Sequence, residues 1–511
     1  MLAIAIPIGD GETPASFCSR LAMRAGCRTA ADFCADFGIS FNSIVTGDQA
    51  ALAWLAELGG VPPTTLQAGT LESFNTRDGF EFDGRSETRC AVRLDRVTIC
   101  PVCLQEDLRG RPGLGGAAAY QRMSWRIAQI RTCPHHQVGL VDVIGPAEVG
   151  KLTYRSRYDF SRLMEPVIAK IDAILENAHR RSPDALERYL LDRLTGVRGG
   201  NWLDSFSFST AARACEMVGA AATFGVHVQG TQLSEEELRT AGAAGYGVLA
   251  AGPNSFADLL RSFPASERPR SKTGAPGLAL TFGWIYRWLK DNPTNLGYDP
   301  LREVFRAVAR EELALPQGAS VLGRRMEGRY LHTVRTLATQ AGIGCDRVRR
   351  VLSQRRILTE GDLAKMNRDI TVRASEEIER LLGGLKIALN LVQVADRICA
   401  TRRQVGLLVD DGILTPIVSG EYRYSFERGP IDTFMSELLC DAVPMIGDDP
   451  DFVDIQDAAR RSRCRSVEVV RLILGRKLNR TRLHPEKTGY ASVLVDLEEV
   501  RSLLKARLVI E

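Results

Sequence analysis

Apolar side chains recur at helical spacing along most of this chain. Residues 11–41 carry one such pattern, and residues 160–175, 185–194, 211–225, 256–263 and 278–289 carry five more. Together these predict short helices near the start and a mostly helical stretch from about 154 to 310, broken at Gly/Pro clusters. Residues 69–95 are polar and read as loop or short strand. The segment 109–118 contains GRPGLGG, which has few side chains to pack, and reads as a loop. Its G-x-G fragment is a poor dinucleotide fingerprint, because no strand leads into it and Ala118 stands at the third small position.

One pattern occurs three times in the C-terminal part. Residues 334–358 read VRTLATQAGIGCDRVRRVLSQRRIL. Ala338 lets two helices cross closely, Gly342-Ile343-Gly344 makes a tight turn, and Val348 with Val351/Leu352 faces the core. These are helix-turn-helix positions. The second predicted helix presents Arg347, Arg349, Arg350, Arg355 and Arg356 to solvent, a set suited to phosphates or guanine edges. The spacing returns at 394–414 with Ala395, Cys399-Ala400, Val405 and Leu408/Val409. It returns again at 457–478 with Ala459, Cys464, Val469 and Leu472/Ile473. The third copy is the most basic, with Arg460, Arg461, Arg463, Arg465, Arg471, Arg476 and Lys477; in the second, Asp410 and Asp411 oppose phosphate approach. Alternating segments at 420–429 and 481–497 suit a hairpin wing, and a closing helix follows at 497–508.

Composition changes this picture little. A chain of 511 residues exceeds one hydrophobic core, and 45% hydrophobic with 25% charged residues describes a folded multidomain protein. A net charge of +4 does not by itself argue for nucleic acid, so only the local arginine clusters bear on DNA. No apolar stretch approaches the about 20 residues of a membrane helix, and the apolar start lacks a signal peptide's basic flank. A cytoplasmic location with no membrane partner is expected. No P-loop or nucleophile elbow is visible, which predicts a binding protein and not an enzyme. Among the aromatics at 282–288, Trp284 and Trp288 share one helical face and are expected to pack in a core.

Four of the residues that matter most come from two short turns. Residues 98–104 read TICPVCL and residues 131–140 read RTCPHHQVGL. Cys100 and Cys103 form one knuckle; Cys133 and His136 have the same two-residue gap and complete a tetrahedral set for one structural Zn2+. His135 competes as fourth ligand, but only His136 repeats the spacing of the first knuckle. Trp125 and its neighbours are expected to pack against the knuckles. A redox pair at Cys100/Cys103 lacks the surrounding βαβ pattern. Of the twelve cysteines, Cys18, Cys27, Cys34, Cys215, Cys345, Cys399, Cys440 and Cys464 read as small buried hydrophobes.

The stretch GETPASFCSRLA at 11–22, CPVCLQED at 100–107, MSWRIAQIRTCPHH at 123–136 and the trailing Gly139-Leu140 together resemble the TniQ domain, over most of residues 1–145. Family members often add a further Cys-Pro-x-Cys, whereas this chain continues LVDVIGPAE, so one zinc site is expected. The resemblance implies a target-selection protein of bacterial transposition, bridging DNA or a targeting complex to an AAA+ ATPase of the TnsC/TniB kind. Among relatives, CRISPR effector complexes and a second copy of the chain also serve as partners. The alternative is a zinc-containing helix-turn-helix transcriptional regulator. The expected architecture is mainly α. It comprises a zinc-ribbon-containing TniQ domain at 1–150, a helical domain at 151–320 and helix-turn-helix modules at 321–385, 386–445 and 446–511, the last with a possible wing.

Overall fold

The computed structural model describes residues 5–70, 79–82, 85–88, 91–263, 277–365, 370–418, 424–447 and 449–508. It is mainly helical, with several two-stranded pairings and one four-stranded sheet. Two compact units emerge, one of Met1–Glu312 with Ala319–Met326 and one of Leu313–Gly318 with Glu327–Glu511. Among the described residues no helix is long and apolar enough to cross a membrane.

The first unit opens with the helix Pro14–Arg24, set by Pro14 at its first position and by the Thr13 side chain, which accepts from the Ser16 N–H. Its Phe17, Cys18 and Leu21 join Phe33, Ile44, Leu52 and Leu55 in one apolar cluster. Beneath that cluster lies a fully buried ion pair, Arg20 Nη1 to Glu12 Oε2 at 2.5 Å. Glu12 also accepts from the Gly9 N–H and the Ser16 hydroxyl, and Arg20 donates to the Ala117 carbonyl. Burial raises the Glu12 pKa and lowers that of Arg20, with each partner's charge opposing the shift.

Farther along, the helices Phe208–Phe224 and Glu235–Ala250 pack at glycines. A β-carbon on Gly219 would sit 1.7 Å from the Ala241 carbonyl oxygen, and one on Gly245 would sit 1.9 Å from that of Cys215. Only glycine permits this approach. The helix Leu278–Asp291 is interrupted at Gly283, whose φ of 47° lies in the left-handed region. That break changes the expected shared face of Trp284 and Trp288. Trp288 is buried against Tyr298, while Trp284 is half-buried beside Gly230. Packing, as expected, is what both do. The glycine-rich segment also gains structure, a 3₁₀ helix at Pro112–Ala118 kinked at Gly115.

In the second unit one plan is repeated three times. A short strand leads into two short helices and then pairs antiparallel with a later strand that feeds a third helix. The first repeat uses Leu331–Thr333, Val334–Ala341, Cys345–Gln354, Thr371–Arg373 and Glu376–Lys386. The second uses Leu389–Asn390, Leu391–Ile398, Arg402–Asp410, Ser425–Phe426 and Arg428–Leu439. The third uses Phe452–Asp454, Ile455–Ser462, Ser466–Leu474, Val493–Asp496 and Leu497–Leu508.

Local chemistry matches position by position. Thr333, Asn390 and Asp454 cap the first helices with their side chains, and Gly342, Cys399 and Arg463 end them in the left-handed conformation. The closing N–H donates to the carbonyl of Ala338, Ala395 or Ala459, the small residue of each copy. The segment 481–497 forms a hairpin, Thr481–Leu483 against Val493–Asp496. In the second repeat, residues 420–423 of the expected wing lie outside the described residues. The second and third repeats share one apolar cluster, from Val394 and Val405 through Val469 and Val495.

Candidate metal centre and basic surface

The antiparallel strands Val97–Ile99 and Val141–Ile144 bring two turns together. Cys100 directly follows the first strand and caps the helix Pro101–Gly110, its sulfur accepting from the Cys103 N–H at 3.4 Å. The other turn precedes the second strand. The Cys133 N–H donates to the Val138 carbonyl and the Gln137 N–H to that of Cys133, with Gln137 at a φ of 51°. These local bonds aim all four side chains at one point.

Cys103 Sγ lies 3.2 Å from His136 Nδ1 and 3.6 Å from Cys133 Sγ. Nδ1 is also 3.6 Å from Cys100 Sγ and 3.7 Å from Cys133 Sγ, and the four ligand atoms lie within 4.8 Å of one another. A tetrahedron with Zn–S near 2.3 Å and Zn–N near 2.0–2.1 Å has edges of roughly 3.5–3.8 Å. The cluster is therefore already at the dimensions of a tetrahedral ion, and it can hold one metal ion.

The far nitrogen of the ring has a partner too. His136 Nε2 is 2.9 Å from Glu106 Oε2. A carboxylate there fixes the tautomer that leaves Nδ1 free to bind a cation. The thiols make the same point electrostatically. Hydrogen bonding to Cys100 and Cys133, then burial, push Cys103 far upward, while bonds from Cys100 and Cys103 hold Cys133 far down. Three sulfurs so close cannot all ionise without a cation among them.

The cluster is braced from outside. Trp125 is buried with Cys100, Cys103 and Cys133 in one apolar group and lies 6.4 Å, centroid to centroid, from Phe160. Just before the second turn, Arg131 bonds Glu216 at 2.9 Å and Glu235 at 2.6 Å, and its N–H donates to Glu187. Arg93 gathers the carbonyls of Trp125, Ile127, Ala128 and Ile130. Burial, with Arg131 nearby, brings its pKa down to about 10. Sequence reasoning missed Glu106 and Arg93. Glu106 had a signal, since it stands one helical turn after Cys103; Arg93, whose acceptors are all backbone, had none.

The remaining cysteines divide by position. Cys18, Cys34 and Cys215 are buried, and Cys27, Cys345 and Cys464 are half-buried. Cys399 and Cys440 are exposed, against expectation, because one ends a helix at a left-handed turn and the other follows the helix Arg428–Leu439.

The basic residues of the second unit are not equivalent. Arg347 is half-buried and donates to the Ser425 hydroxyl at 2.6 Å, and Arg349 donates to the Leu363 carbonyl. Both are engaged by other groups of the unit. Arg350 is half-buried and Arg355 exposed. In the third repeat, Arg465 and Arg471 lie 3.3 and 2.8 Å from the Asp411 carboxylate, which belongs to the second. Arg463 and Lys477 are exposed and make no ion pair among the described residues.

No curated protein matches the chain. The family model of TniQ does match, over residues 3–140, a span that holds the Glu12–Arg20 pair and all four residues of the metal cluster. The N-terminal part of this chain is thus similar to the TniQ domain.

Proposed function

We propose that the chain is a non-enzymatic target-selection protein of a bacterial transposon, working in the cytoplasm. In this reading Cys100, Cys103, Cys133 and His136 bind one structural Zn2+, with Glu106 orienting the histidine, in a ribbon-like fold at residues 1–150. Four protein ligands leave no open position for a reacting water, so the metal's part is to hold the domain's shape. The helical domain at 151–320 extends that body. The helix pairs at 321–385, 386–445 and 446–511 act as helix-turn-helix modules on DNA. The TniQ domain presents a rigid surface to the AAA+ ATPase of the transposon, which then brings the transposase.

The observation that carries the reading is the metal cluster within the matched TniQ span, at tetrahedral dimensions and with its carboxylate partner. DNA contact rests on the exposed cations of the third repeat, chiefly Arg463 and Lys477, with Arg350 and Arg355 of the first as a second group. Arg347, Arg349, Arg465 and Arg471 are assigned a lesser role because each is already engaged.

Three experiments test it. Purified chain is expected to hold one equivalent of zinc, and Cys100→Ser to lose it. Footprinting is expected to place salt-sensitive DNA contact on residues 327–511; contact confined to residues 1–150 would reverse the assignment. A pull-down from the native host is expected to return a transposition ATPase, with CRISPR effector subunits alongside if targeting is RNA-guided.

A further inference from the structure

The first unit contains a cavity of about 210 Å³, lined from the TniQ-like span and from Tyr154, Arg157 and Tyr158 beyond it, whose described lining has four arginines and no carboxylate. Two of the four are already satisfied. Arg93 is spent on backbone carbonyls, and Arg96 pairs with Asp95, Asp142 and Glu235. The other two are not. The Arg157 guanidinium donates to the Leu152 carbonyl at 3.3 Å, and neither it nor that of Arg126 makes an ion pair among the described residues. The Arg126 Nε is shielded from water and has no hydrogen-bond partner. Its guanidinium lies over the Tyr158 ring, 4.8 Å from the centroid, and Tyr154 stands beside Tyr158 at 5.1 Å.

A partly shielded guanidinium without a counter-charge gains from a carboxylate or phosphate that arrives beside it. The rest of the lining decides between them. Ile44, Val45, Val97, Met123 and Val149 make much of the wall apolar. A nucleic-acid backbone is met by cations spread along an open surface, since its phosphates come in series with solvated sugars. A half-open hole of about 210 Å³ with a partly apolar wall has room for one or two side chains, and suits one acidic side chain with a large apolar neighbour.

We infer that this cavity is a docking site for a partner protein's peptide segment, in which an Asp or Glu pairs with Arg126 and Arg157 while an adjacent apolar residue fills the wall beside Met123. This goes beyond the proposed function and does not depend on DNA contact by the second unit.

The test pans the zinc-loaded full chain against a phage library of random heptapeptides, followed by titration of the best synthetic peptide. Enriched peptides are expected to place Asp or Glu next to a large apolar residue. Arg126→Gln and Arg157→Gln are each expected to weaken the peptide roughly tenfold or more, with zinc content and the thermal transition unchanged. No enrichment, enriched peptides without a carboxylate, or affinity indifferent to both arginine changes in folded protein overturns the proposal. Displacement of the peptide by inorganic phosphate or a short oligothymidylate also overturns it, in favour of a nucleic-acid strand.

Discussion

Arginine is used inside the first unit and outside the second. Arg20 is completely buried on Glu12, Arg131 is nearly so between Glu216 and Glu235, and Arg302 is buried against Asp299. In the third repeat of the second unit, by contrast, Arg460, Arg465 and Arg476 keep 73%, 60% and 73% of their side chains in water. The same residue type therefore holds shape from inside in one place and sits in water-facing surface pairs in the other. The apolar cores explain the difference. The second unit closes each repeat with a compact valine and leucine cluster, so its cations are free to face solvent. The first unit builds the region around residues 91–140 from short elements joined by turns, and there a Cys/His cluster that could hold a metal and buried ion pairs stand beside the apolar core.

The largest effect that tests this contrast is metal removal. Zinc contributes on the order of 10 kcal/mol to small structural sites. A strong chelator or Cys103→Ser is therefore expected to abolish the thermal transition of the first unit and leave that of the second. Calorimetry of the full chain checks this, and a single transition shifted as a whole would erase the distinction. Glu106→Gln is the milder form, expected to weaken zinc by about 10- to 100-fold in a competition titration.

Next in size is the buried ion pair. Arg20→Ala strands the Glu12 carboxylate and is expected to destabilise the first unit by about 3–5 kcal/mol. Replacing both, as Glu12→Leu with Arg20→Met, is expected to recover much of that loss in urea unfolding. A double variant no better than Arg20→Ala would mean that the hydrogen bonds to Gly9, Ser16 and Ala117 matter more than the charge.

These two sites also mark how far sequence reasoning reached. The four residues of the metal cluster were legible because each pair lies within one turn, so spacing alone fixes geometry. The helix pairs were legible for a similar reason. Ala338, Gly342 and Val348 impose a local period, and the structure repeats it at Ala395, Cys399 and Val405. What stayed hidden depends on distant partners. Nothing near Arg347 announces Ser425, and nothing near Arg465 announces Asp411, so a row of arginines read as one surface separates into engaged and exposed members. Gly283 was hidden differently, since a helical period does not register a break that glycine alone can make.

That separation predicts unequal effects on DNA. Arg463→Ala and Lys477→Ala are each expected to lower the slope of log affinity against log salt by about 0.9 if each neutralises one phosphate. Arg347→Ala is expected to leave the slope unchanged and to reduce stability instead. Binding isotherms at several salt concentrations check both, and a steeper loss for Arg347→Ala would return that residue to the DNA surface.

The smallest expected effect is the most specific. Asp411 stands at the C-terminal end of the helix Arg402–Asp410, where the helix dipole disfavours a negative charge, and the pairs with Arg465 and Arg471 offset that disadvantage. Asp411→Asn removes the attraction while keeping the side chain's size, and it raises the local positive charge by one. The Asp411 side chain keeps only 10% of its surface in water while Arg465 and Arg471 keep 60% and 53%, so the half-screened pairs are worth about 1 kcal/mol, and the second and third repeats should remain folded together on their shared core. DNA affinity is expected to rise by up to about fivefold at low salt, with a steeper salt slope as Arg465 and Arg471 become available to phosphate. If affinity falls, or the thermal transition of the second unit drops while affinity stays level, the two arginines serve to join the repeats, and the third repeat engages DNA through Arg463 and Lys477 alone.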